Sequence, residues 1–164
     1  MAITIPADLT IVTLRSGAGE LAQRWIEEYA TAILRQASDL VRSRTNIEFS
    51  RESVVEVVEE MPSGAASDAV DEAGYHFLAA AHKAGNGVRA LLVDRVSRAD
   101  LGGQSRRETR ICLVAYGSDP ASTSRMLAHE LGHLLSLPHV DDDRQGGPGR
   151  RNLMYSARSI PRPS

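Results

Sequence analysis

His129-Glu130-Leu131-Gly132-His133-Leu134-Leu135-Ser136-Leu137-Pro138-His139 reads H-E-x-x-H-x-x-S-x-x-H. Four residues on an α-helix advance about 6 Å and a little more than one turn, which sets His129 and His133 on one face. Both rings can then reach one zinc ion at about 2.0–2.1 Å. Glu130 follows the first of them and would stand near a metal-bound water rather than on the metal. His139 cannot reach the same point from one continuous helix, and Pro138 disfavours continuation through that position. The chain must therefore turn between His133 and His139 to bring the third imidazole back. Three protein ligands leave a fourth position for water, as a catalytic zinc site requires.

The flanks predict a helix over about 120–136. Asp119-Pro120 reads as an N-cap followed by proline at the first helical position, with Ser122 or Ser124 as alternative caps. Met126, Leu127, Leu131, Leu134 and Leu135 recur at helical spacing and would pack its back.

Downstream, Asn152-Leu153-Met154-Tyr155 forms a second motif. Together the two stretches resemble the metzincin clan of zinc peptidases, whose Met-turn sets a methionine beneath the metal. The resemblance implies an endopeptidase with Zn2+ as cofactor. It implies His129, His133 and His139 as ligands, Glu130 as general base and Met154 as a floor that does not ligate. It also implies an α+β, zincin-like fold: a twisted mixed sheet, a long backing helix and the active-site helix. Residues 1–139 would form an upper subdomain and 140–164 a short lower part, in one catalytic domain. An edge strand near Val96–Gln104 would bind a peptide substrate as an added strand, and Gly102-Gly103 would suit close backbone approach or a surface turn.

The chain departs from the clan at several places. Ser136 stands where glycine is usual, at a position of left-handed conformation that costs a non-glycine residue roughly 1–2 kcal/mol. Val140 matches no subfamily. The Met-turn is matrixin-like, but Ser156 and Arg158 occupy positions where matrixins carry pocket-walling residues, and Tyr155 is not assigned as a ligand. The short stretch after Met154 is a poor helix. These departures keep two other readings open: a zinc-holding module that binds a protein or peptide without cutting it, and a metal hydrolase of a small amide.

At 164 residues the chain suits one domain with a sizeable core. Lys+Arg number 19 against 21 Asp+Glu, a balance that argues against nucleic acid as the main partner. Arginines at 106, 107, 110, 150, 151, 158 and 162 read as solvated loop charge, or else as a rim favouring acidic peptide. Cys112 is the only cysteine, which excludes an intrachain disulfide, and its apolar neighbours suggest a buried small hydrophobe. No stretch is long and apolar enough to span a membrane. Met1–Asp8 lacks the basic and apolar segments of a signal peptide, which leaves cytoplasm, leaderless export or a mature form with its leader removed.

Elsewhere the pattern predicts strands at Leu9–Arg15, Ile47–Phe49, Val54–Val58, Val88–Val96 and Arg110–Tyr116. It predicts helices over Gly19 to about Arg42 and over Asp68–Lys83, the second capped by Ser67 or Asp68 and extra to the metzincin order. The apolar face of the first would hold Leu21, Trp25, Ile26, Tyr29, Ile33, Ala37, Leu40 and Val41. His76 and His82 read as structural or exposed. Asp141-Asp142-Asp143 reads as a solvated acidic turn, with calcium the sharper alternative.

Overall fold

The computed structural model describes residues 1–16, 19–20, 22–63, 69–97, 103–137 and 153–154. Its strands are β1 (Ile3–Ser16), β2 (Gly19–Glu20), β3 (Ile47–Glu60), β4 (Val88–Val93), β5 (Gly103–Arg106) and β6 (Ile111–Ala115). Its helices are α1 (Glu27–Thr45), α2 (Glu72–Ala81) and α3 (Pro120–Leu134). Five strands lie in the order β3-β1-β4-β6-β5. The first four run parallel, and β5 is antiparallel to β6 at one edge. The two-residue β2 pairs antiparallel with the end of β1 at Arg15 and Ser16.

Alternation along the central strands builds two cores. Val88, Ala90 and Leu92 of β4, with Cys112 and Val114 of β6, pack with α1 and α3. Leu91 and Val93, with Ile111 and Leu113, pack with Val12 and Leu14 of β1 and with Tyr75, Leu78 and Ala79 of α2. A strand buried on both faces has no polar alternation to show, which is why β4 and β6 read as near-continuous apolar runs. The result is an α+β domain with α1 and α3 on one face of the sheet and α2 on the other. Gly87 lets β4 begin against β1: a Cβ there would fall 1.8 Å from the Pro6 carbonyl oxygen.

The elements differ from the pattern reading mainly at their ends. The first helix starts at Glu27, not Gly19. Trp25 precedes it in extended chain, buried by its indole N–H donating to the Val93 carbonyl at 2.9 Å, and Ile26 is the N-cap and exposed. The two segments at 47–49 and 54–58 are one strand, paired with β1 along its length around a register shift at Ala7/Asp8. The helix expected over 68–83 is shorter and is capped by Asp71, whose side chain accepts from the Gly74 N–H. His76 is exposed beside Glu72, and His82 bonds Glu59 at 2.7 Å, so both are structural or exposed as expected. Among the described residues no helix is long and apolar enough to cross a membrane. The proposed boundary at 139/140 and the Asp141–Asp143 turn lie outside the described residues.

Candidate metal centre

The helix that carries the imidazoles begins as its sequence dictates. Asp119 is the N-cap, accepting from the Ser122 N–H, and Pro120 follows at the first turn. Leu127, Leu131 and Leu134 bury the back of α3 against the core it shares with α1. That leaves His129 and His133 half-buried on the other side, one turn apart.

The two rings are held from behind by carbonyls. His129 Nδ1 lies 2.9 Å from the Leu153 oxygen, and His133 Nδ1 lies 2.9 Å from the Leu137 oxygen. A carbonyl oxygen only accepts, so each Nδ1 carries a proton and each ring turns its Nε2 toward the other. Those two Nε2 atoms stand 3.1 Å apart. Two lone pairs converging on one point repel unless a cation or proton lies between them. Nitrogens bound at about 2.0–2.1 Å around a tetrahedral ion sit about 3.3 Å from each other, so the pair fits zinc. Backbone carbonyls behind ligating imidazoles also fix tautomer and ring plane.

The second carbonyl is delivered by the turn that ends α3. Ser136 has φ 69°, the left-handed conformation its position implied. Its N–H donates to the His133 oxygen at 2.9 Å, and the Leu137 N–H donates to the Gly132 oxygen at 3.0 Å. This pair of bonds is a Schellman motif, and it folds Leu137 back under His133. Leu153 and Met154 dock nearby. Both are buried, and a Cβ on Gly132 would lie 2.5 Å from Met154 Sδ. Gly132 thus packs directly under the end of the Met154 side chain, which would have to shift to admit a Cβ.

Glu130 points away from solvent, at 6% exposure. Burial pushes its carboxyl up to about 7, against a lowering contribution from a hydrogen bond with the Ser105 side chain. The strand β5 presses on the same group: a Cβ on Gly103 would meet Glu130 Cγ at 2.8 Å and the Leu113 carbonyl oxygen at 2.8 Å. Gly103 and Ser105 thus face α3, whereas Arg106 turns to the opposite face. There it pairs with Glu72 and lies over the Tyr75 ring. Of the edge strand expected near Val96–Gln104, Val96 forms an isolated parallel bridge with Val70, and only Gly103 and Gln104 fall in the edge strand β5; residues 98–102 lie outside the described residues, as do His139, Val140, Asn152, Tyr155, Ser156 and Arg158. Among the described residues no three metal-ligating side chains gather.

The sequence reading brought His129, His133, Glu130 and Met154 to one neighbourhood. It missed Ser105 and Gly132 and the carbonyls of Leu137 and Leu153. The alternation of β5 could have suggested Ser105 once Gly103 was placed; the carbonyls leave no trace in residue type. The basic cluster at 106, 107 and 110 is not merely solvated, since Arg106 is paired as above and Arg107 donates to Ser136.

Archaemetzincin from Methanopyrus kandleri superposes with a TM-score of 0.54 at 18% identity, covering 82% of this chain and 76% of that one. The fold resembles that of archaemetzincin. A zinc-dependent peptidase from Methanocorpusculum labreanum superposes with a TM-score of 0.50 at 15% identity, covering 91% of this chain and 87% of that one. No protein-family model matches the chain, and no curated protein matches it by sequence.

Proposed function

We propose that this chain is a zinc-dependent endopeptidase of metzincin type. The observation that carries the reading is the imidazole pair, with both Nε2 atoms meeting at 3.1 Å and both Nδ1 atoms held by carbonyls. His129 and His133 are two ligands in this reading, His139 is the third, and Met154 is the apolar floor. Zinc, when bound, supplies a Lewis acid that lowers the pKa of a water and polarises a carbonyl.

The residues of the chain do the rest. Glu130 is the general base. Beside the zinc, its carboxylate would take a proton from water and return it to the leaving amine. Ser105 orients that carboxylate through its hydrogen bond. Among the described residues β5 pairs with β6 alone, so its outer edge is open to an extended peptide that adds as a strand. Gly103 would set that peptide next to Glu130. The proposed partner is accordingly a peptide or protein, and neither nucleic acid nor membrane.

The test is cleavage of a diverse peptide library by zinc-loaded protein, read by mass spectrometry. E130Q should keep stoichiometric zinc while cutting falls by about 10²–10⁴, the usual share of a general base. H133A should lose both metal and activity, and a chelator should abolish cutting reversibly. An E130Q protein that cleaves like wild type would end the proposed mechanism.

A further inference from the structure

We infer that Arg107 is a positioning residue for the proposed metal centre, acting through the hydroxyl of Ser136. The two belong to different parts of the fold. Arg107 opens the turn that joins β5 to β6, where the Arg110 N–H closes back on the Arg107 carbonyl at 3.1 Å. Ser136 is the left-handed residue of the turn that ends α3, at φ 69°. Arg107 Nη1 donates to Ser136 Oγ at 3.0 Å and joins them.

The conformation gives the contact its meaning. A side chain at a left-handed position is strained, and glycine would carry this turn without penalty. The turn cannot simply relax, because the bonds from Ser136 and Leu137 to the last carbonyls of α3 depend on it. So does the Leu137 oxygen that holds His133 Nδ1 at 2.9 Å. The Arg107 guanidinium, reaching across from the neighbouring strand turn, gives the serine hydroxyl a partner in this conformation and so offsets part of the strain. Arg107 thereby ties the strand that packs on Glu130 to the turn that orients His133. It acts through another residue and touches no reacting atom.

The experiment compares R107A, S136A, S136G, R107K and the double variant R107A/S136G. One readout is the zinc dissociation constant by competition with a chromophoric chelator, which rests on the zinc reading above. The other is amide hydrogen exchange at Ser136 and Leu137 in metal-free protein, which does not. R107A and S136A should each weaken zinc binding and speed exchange roughly three- to fivefold, the effect of one net hydrogen bond. S136G should do neither, R107K should restore part of the loss, and R107A should be silent in the S136G background. The inference is overturned if R107A changes both readouts by less than about twofold, or costs as much with S136G as without it. A wild-type protein that binds no zinc would sink the functional reading alone, and the exchange data would still decide the role of Arg107.

Discussion

Glu130 is a carboxylate that the fold has taken out of water, and its protonation must therefore weigh on stability. Its pKa is raised to about 7 by burial, whereas an unfolded chain holds it at the ordinary value. Between those two values the folded state binds the proton and the unfolded state does not. Stability is thus fully present below about pH 4.3 and declines as pH rises toward 7, by on the order of 3 kcal/mol in the metal-free protein. E130Q should remove that decline. Urea titrations of metal-free wild type and E130Q from pH 4 to 8 check it; parallel curves would mean that Glu130 ionises as freely folded as unfolded. At this scale the shared face of His129 and His133 was legible because helical geometry alone relates them, whereas His139 lies outside the described residues. Ser105 and Gly132 were not legible, because each is defined by what crosses to it from elsewhere: Glu130 from the helix, Met154 from a segment far along the chain.

The strand β5 is the element on which the proposed chemistry leans most. Gly103 has no space for a side chain, with both the buried Glu130 and the Leu113 backbone 2.8 Å from where Cβ would sit. G103A must push the strand off its neighbours, at about 1–3 kcal/mol of overpacking. We expect kcat/KM to fall at least about tenfold with zinc content unchanged, since a shifted strand displaces base and peptide together. Normal turnover in G103A would show that β5 does not pack on Glu130. Helix α3 was readable end to end because its cap, its proline and its apolar face all agree. Its end at Leu134 rather than 136 reflects the left-handed turn at Ser136. Helix α1 was overextended because Trp25 continues the apolar spacing while its indole bonds the Val93 carbonyl at the end of β4. The two short segments of β3 merge because the pairing with β1 resumes after a register shift that skips Glu52, within the stretch Ser50–Ser53 whose polar side chains hid the strand.

Among the described residues the central strands are covered on both faces, and the second layer was the feature least visible beforehand. Helix α2 was read as an addition, but nothing local says which face it takes. The hint lay in β4 and β6, apolar on both parities, which demand cover on each side. Cys112 sits in this interior with no exposure, and burial pushes its thiol far up from the ordinary range. The native protein should resist thiol reagents and react only on global opening, so labelling rates should track unfolding across a denaturant series. Fast labelling of the native state would place Cys112 outside the core.

The carbonyls behind the two imidazoles also differ in reach. His133 is held by a residue 4 positions on, whereas the partner of His129 lies 24 positions away. During synthesis the first imidazole can be oriented as soon as its own turn has emerged from the ribosome. The other waits until Leu153 has been translated and has docked on the finished helix. A nascent chain therefore exposes both histidines well before it can hold them together, and capture of the proposed zinc would be a late, non-local step of biogenesis.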